Sequence, residues 1–160
     1  MADDPHRPQH VEMLVTDFGA HIGIPELAFD EDNLLALRSE AADLALTYQD
    51  EVLGVLIRSL IDLPHVEPGA DFATSLHCLN YRAMLAGMGM LTIDSELGAF
   101  VWVDRINLRG MTVQMLFEAI ATAERGIVFW REHLPELLAQ SAAAAAGSSQ
   151  APDGMSIFHV

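Results

Sequence analysis

Residues 71–108 constrain the fold more than any other stretch, because they contain a predicted helix with two apolar stripes. The first stripe has the spacing of one helix face. It consists of Phe72, Leu76, Leu79 and Ala83. The second stripe lies on the same helix and consists of Cys78, Tyr81, Leu85 and Met88. Since a helix packs on a sheet through a single apolar stripe, the second stripe predicts a second packing surface.

A predicted hairpin follows this helix, with strands at residues 90–94 and 99–108. The later strand is apolar on both faces, which are formed by Val101 and Val103 on one side and by Phe100 and Trp102 on the other. Strands with two apolar faces are covered on both faces. We therefore expect the helix and the hairpin to be shared between the core of one subunit and a partner.

Apolar periodicity also predicts the remaining elements. They are a helix at 9–22, a short strand at 27–29, and strands at 34–38 and 44–49. Residues 52–63 fit either a helix or a strand, and their β-branched content favours a strand. The last helix is predicted at residues 112–133, with Pro135 kinking or ending it.

Apart from the short strand at 27–29, the order is helix, three strands, helix, two strands, helix, which indicates an α+β fold. We expect a twisted, mainly antiparallel sheet packed with helices, assembled as a homodimer. The chain divides into a flexible arm at 1–8, one α+β domain at 9–140, and a low-complexity, disordered tail at 141–160. The apolar tip of the tail, Ile157-Phe158, is either a docking motif or without a role.

Composition narrows the classes of function. A chain of 160 residues fits one domain, and its single cysteine, Cys78, excludes an internal disulfide. That thiol is expected to be reduced and to act as a small buried hydrophobe. The formal net charge of −15 disfavours nucleic-acid binding. The acidity either keeps the protein soluble, or prevents self-association of a sticky protein or steers a basic partner.

Localisation follows from what the sequence does not contain. The N-terminus is polar and has no apolar stretch typical of a signal peptide. The longest apolar run, residues 52–63, is too short to span a membrane and includes Arg58 and Asp62. We therefore expect a soluble cytoplasmic protein without membrane insertion.

No group of residues predicts an enzyme. The triplet Asp30-Glu31-Asp32 places carboxylates together, but it lacks the glycine and distal glutamate of a calcium loop, so a turn explains it better. The one enzyme hypothesis that we keep is a metal-dependent enzyme that uses Asp30, Asp32 and a histidine. We predict no catalytic residue, no metal ligand and no cofactor.

Several segments occur in a distinctive order. They are Ile22-Gly23-Ile24 after the first helix, Leu27-Ala28-Phe29-Asp30, residues 76–80, residues 87–94, residues 97–108, and Phe129-Trp130 in the closing helix. Over residues 13–138 this order and spacing resemble the class I chaperones of type III secretion systems, the Tir-chaperone family. The tail after Ser141 is longer than the core of that family needs.

The resemblance implies a homodimer built from the second helix and its neighbouring strand. It also implies ATP-independent binding of a secreted effector's N-terminal region in extended form, in the cytoplasm of a Gram-negative bacterium. Apolar grooves would bury the client's apolar side chains, and a free sheet edge would accept a client strand. A small acidic dimeric adaptor of the same fold, which binds a folded partner, is the alternative.

Two sets of residues are predicted to form these surfaces. The residues expected to contact the client are Leu14, Phe18, Leu27, Phe29, Leu35, Leu37, Leu44 and Leu46, each of which fits the ordinary core equally well. The residues expected in the dimer interface are Leu79, Asn80, Leu85, Met88, Met90 and Ile93. Asn80 either fixes the pairing geometry of the dimer or caps a local backbone group.

Overall fold

A computed structural model describes residues 7–62 and 71–148 of the chain. The helices are α1 (Gln9–His21), α2 (Phe72–Leu85) and α3 (Val113–Ser148). The strands are β1 (Leu34–Arg38), β2 (Asp43–Gln49), β3 (Gly54–Ile61), β4 (Met90–Asp94) and β5 (Ala99–Asn107), and a short 3-10 helix (Asp50–Val52) precedes β3. This order confirms the predicted α+β sequence of elements.

The five strands form one antiparallel sheet with the order β1-β2-β3-β5-β4. β5 therefore lies between β3 and β4, and the β4–β5 hairpin adds to the sheet at β3. β1 and β4 are the two edges. Directly opposed residues such as Leu35 with Leu46, and Leu91 with Trp102, define the register.

One face of the sheet forms the core because buried side chains alternate along the strands. In β3, Val55 and Ile57 are buried, whereas Arg58 between the strand's buried positions is exposed. This alternation confirms that residues 52–63 contain a strand and not a helix. α3 crosses the buried face against β3 and β5 and also contacts α1 and α2. Trp102 and Trp130 are fully enclosed there.

The predicted short strand at residues 27–29 was wrong. These residues form an irregular connection, in which the Leu27 N–H donates to the Ile24 carbonyl in a turn. Leu27 and Phe29 are nevertheless buried, and the Phe29 ring lies 6.0 Å from that of Tyr48. The apolar character of this segment therefore reflects packing of side chains beneath the sheet and not strand pairing.

The last helix is longer than predicted. α3 continues past His133 with Pro135 inside it, and residues 141–148 of the predicted disordered tail are helical. Proline removes one helical hydrogen bond, but Leu134 and Leu138 on either side of it are buried in the core. The alanines that follow have the highest helix propensity. Residues 1–6, 149–160 and the Ile157-Phe158 tip lie outside the described residues.

Candidate interaction surfaces

The two predicted stripes of α2 face in different directions. Phe72 and Ala83 of the first stripe are buried, and Leu76 and Leu79 pack against the core. Of the second stripe, Tyr81 and Leu85 are exposed, whereas Met88 lies beyond the end of α2 and packs against the core. Cys78 is also exposed, so the prediction of a buried thiol was wrong. The helix therefore presents an apolar face that its own subunit does not cover.

β4 continues this apolar surface. A four-residue connection at 86–89 joins it to α2, and two of its side chains are exposed although they are large and apolar. We define the α2–β4 surface as the exposed apolar residues of these two elements. They are Tyr81, Met84, Leu85, Met90 and Ile93, which are between 43% and 69% exposed. Met90 and Ile93 are three positions apart and so project from opposite faces of β4. Exposed apolar side chains gathered on neighbouring elements are typical of protein interfaces.

Asn80 fastens α2 to the outer edge of β4. Its side-chain Nδ2 donates to the Leu91 carbonyl oxygen at 2.9 Å, and the Leu91 N–H donates to Asn80 Oδ1 at 2.8 Å. Both edge-facing backbone groups of Leu91 are thus satisfied by one amide, which acts as a neighbouring strand would. This contact corresponds to the second role predicted for Asn80, the capping of a backbone group of its own chain.

The connection between α2 and β4 is locked beneath Trp102. The Trp102 indole Nε1–H donates to the Met88 carbonyl at 2.9 Å. Gly89 has a φ of +64°, and a Cβ there would lie 2.5 Å from the indole. Across the turn, a Cβ on Gly126 of α3 would lie 2.6 Å from the Met88 carbonyl oxygen. Gly89 and Gly126 therefore allow β5 and α3 to pack closely against the turn that orients the α2–β4 surface.

The structure brings the predicted dimer residues together on these two elements. Leu85, Met90 and Ile93 are exposed, and the half-buried ones are Leu79, Asn80 and Met88. Their contact with a second subunit stays a prediction. Tyr81 and Met84 share the surface and were not assigned to the interface. Membership of the second stripe indicated Tyr81, and the three-residue step from Tyr81 would have indicated Met84.

The residues predicted to contact a client lie in the core of the subunit. None is more than 9% exposed, and all belong to one cluster: Leu14, Phe18, Leu27, Phe29, Leu35, Leu37, Leu44 and Leu46. A side chain this deeply buried offers little surface to a partner. Client contact by these residues stays a prediction, and their burial favours the alternative of ordinary core.

A groove of about 750 Å³ lies over the ends of β1, β2, β3 and the β4–β5 hairpin. Exposed Leu60 and buried Val101 contribute apolar surface to it. Arg38, Arg58 and Arg131 also line it, three of the eight basic residues of an acidic chain. Asp43, Asp62 and Asp94 line it as well, so the groove combines apolar area with charges of both signs.

The free edge of β1 is only partly closed. Asp30 satisfies the outward-facing groups of Leu34: its N–H donates to the Leu34 carbonyl at 2.9 Å, and its Oδ1 accepts from the Leu34 N–H at 2.8 Å. Backbone groups alternate in direction along an antiparallel strand. The N–H and C=O of Ala36 and Arg38 consequently face away from β2. These bonds also confirm that Asp30-Glu31-Asp32 forms a turn.

Three ionisable groups on β1 and β2 have shifted pKa values: Arg38, Asp43 and Tyr48. Arg38 Nε lies 2.7 Å from Asp43 Oδ1, and this hydrogen bond lowers the pKa of the Asp43 carboxyl below its usual range. Burial, followed by the bond to Asp50, raises the pKa of Tyr48, which donates to Asp50 Oδ1 at 3.2 Å. Tyr48 is therefore a neutral core residue. Within the described part of the chain, no group of three or more metal-ligating side chains occurs.

Comparison with known proteins identifies the family. The model of the Tir chaperone protein (CesT) family matches residues 13–131, most of the chain. The chain belongs to the Tir chaperone family. This confirms the resemblance predicted from the sequence and agrees with a chaperone, not an enzyme. No protein of curated function matches the sequence. Within residues 7–62 and 71–148, no helix combines the length and apolarity needed to cross a bilayer.

Solved structures share the fold of this Tir-chaperone-family member. The HopA1–SchA chaperone–effector complex contains a chain with 19% identity and a TM-score of 0.64; the match covers 82% of this chain and 99% of that one. The ExsC–ExsE complex gives 19% identity and 0.65, over 77% and 92%. The Yersinia pestis type III secretion chaperone SycH, in complex with a fragment of YscM2, gives 13% and 0.56, over 74% and 97%.

Proposed function

We propose that this Tir-chaperone-family member is a homodimeric type III secretion chaperone. It holds the N-terminal region of a secreted effector in extended form, in the cytoplasm of a Gram-negative bacterium, without ATP or a cofactor. The observation that supports this most is the exposed apolar α2–β4 surface. A chain of similar fold occurs in a chaperone–effector complex. A solitary subunit would leave this apolar surface in water.

A second copy of the chain is the occupant that we propose for the α2–β4 surface. A two-fold dimer uses the same patch on both subunits, so a self-complementary apolar surface is sufficient. Leu85 and Ile93 are among its exposed members, and Asn80 and Trp102 hold the two elements in fixed relation. The net charge of −15 opposes closer association of dimers with one another.

The client segment occupies the β1 edge and the adjoining groove. An extended peptide can pair with the outward-facing backbone groups of Ala36 and Arg38 and place alternate side chains in the groove. Leu60 and Leu97, which are exposed in the lining of the groove, would then contact its apolar side chains. We place client contact on these groups, with the eight buried leucine and phenylalanine positions as the core that supports them.

Co-expression with the protein encoded beside this chain's gene tests the proposal. We expect a stable complex that is lost when the N-terminal region of that protein is deleted and retained when its C-terminal region is deleted. Limited proteolysis of the complex should show the bound region to be protected only by the chaperone. A complex that ignores the N-terminal deletion would contradict the proposal. A bound region that resists protease on its own would favour the folded-partner adaptor.

A further inference from the structure

The two edges of the sheet differ in what blocks them. On β1, Asp30 closes only the groups of Leu34, at the first residue of the strand. On β4, Asn80 closes the groups of Leu91, the second of five residues. By alternation the next outward-facing residue on β4 is Ile93, one position from the end of the strand. Beyond the residue that a side chain closes, β1 thus has two outward-facing residues, Ala36 and Arg38, and β4 has one, Ile93.

Helix α2 itself obstructs the β4 edge. Asn80 is half-buried, and its amide lies within hydrogen-bond distance of the very groups that an added strand would need. A strand pairing along β4 would have to displace this side chain and leave its donor and acceptor unpaired. Covering an edge in this way is how proteins prevent unwanted strand addition.

We infer that Asn80 closes the β4 edge to strand addition and thereby confines an added client strand to β1. This assignment of the edge depends on the proposed function, whereas closure of β4 depends only on the two bonds to Leu91. It also follows that the dimer formed through the α2–β4 surface is held by side chains and not by a sheet that continues from one subunit into the next.

Hydrogen exchange resolved to single amides tests the inference, in the complex with the co-expressed partner and in the free chaperone. Asn80→Ala removes both bonds to Leu91. Leu76→Ala is the matched control, because Leu76 lies one turn earlier on α2, is half-buried and has no bond to β4. In the wild type and in L76A, we expect the partner to slow exchange at Ala36 and Arg38. In N80A, it should also slow exchange at Leu91 and Ile93.

The second part of the experiment uses the free chaperone and needs no partner. In N80A, the Leu91 amide should exchange about tenfold faster at low protein concentration, the effect of losing one hydrogen bond. At high concentration, Leu91 and Ile93 should regain protection as opened edges pair and species larger than a dimer form. Asn80→Asp keeps the acceptor for the Leu91 N–H and should give an intermediate result.

Three results would overturn the inference. They are partner-dependent protection at Ile93 in the wild type, no new protection on β4 in N80A, or equal behaviour of N80A and L76A in the free chaperone. If the wild type retains no partner, the proposed function fails, but the free-chaperone arm still decides whether Asn80 closes the edge. If N80A does not fold, N80D must still show the graded change at Leu91.

Discussion

Single residues determine how firmly the α2–β4 surface is held. Trp102 is fully buried and donates its indole N–H to the Met88 carbonyl, which fixes the turn between helix and strand. Two constraints require glycine at position 89: its backbone is left-handed, and a Cβ would clash with the indole ring of Trp102. Gly87, in the same turn, shares the left-handed backbone but has open space around it.

The two glycines allow backbone strain to be separated from steric clash. Gly87→Ala should lower the free energy of unfolding by about 1–2 kcal/mol, the cost of a left-handed alanine. Gly89→Ala adds an overpacked contact with Trp102, which costs a further ~1–3 kcal/mol. Urea unfolding monitored by tryptophan fluorescence measures both. Equal losses in the two variants would show that the indole does not constrain the turn.

The exposed pair between Arg38 and Asp43 makes stability depend on pH. Because the pKa of Asp43 is lowered in the folded protein, the unfolded chain takes up a proton first as the pH falls. The pair therefore stabilises above the ordinary aspartate pKa, and this stabilisation disappears as the pH falls through the lowered value. The urea midpoints of wild type and Asp43→Asn should differ slightly at pH 7 and converge in acid. A difference that persists in acid would contradict the assignment.

Among the elements, α3 shows how far sequence patterns extend and where they end. Regular apolar spacing predicted its first half. Pro135 then suggested that the helix ends, and the alanine-rich composition suggested a disordered tail. Local sequence signals do not show that Leu134 and Leu138 pack in the core. The same limit applies to the β-strands: alternation located them, but it does not reveal which face the helices cover.

The site was predictable in part for a related reason. Two stripes on one helix exceed what one subunit buries, so the exposed face of α2 could be expected from spacing alone. The eight residues chosen for client contact were also apolar and regularly spaced, yet all are buried. Deciding between these outcomes requires the sheet order, which places β1 and β4 at the edges, and no local pattern contains that order.

The second half of α3 should contribute to global stability. Leu138→Ala removes a buried side chain and should lower the free energy of unfolding by about 2–4 kcal/mol. Leu137→Ala is the control, because Leu137 is only half-buried and should cost less. Urea unfolding of the full chain provides the measurement. Wild-type stability of L138A would mean that the helix beyond Pro135 is not part of the core.

At the scale of the whole molecule, apolar surface and acidic charge act together. The chain leaves large apolar side chains exposed on α2 and β4 while its net charge is −15. One feature favours association and the other limits it, so a defined small assembly is expected in place of a precipitate. In the proposed dimer, the sheet edge at β1 would stay available for an extended partner.

Mass in solution, measured by light scattering on a sizing column at micromolar concentration, tests the central claim most directly. We expect twice the chain mass for the wild type and for Met13→Glu, which changes an exposed residue of α1. Leu85→Glu and Ile93→Glu bury a charge in the proposed interface and should each give the mass of one chain. A monomeric wild type, or a dimer unaffected by both substitutions, would contradict the account.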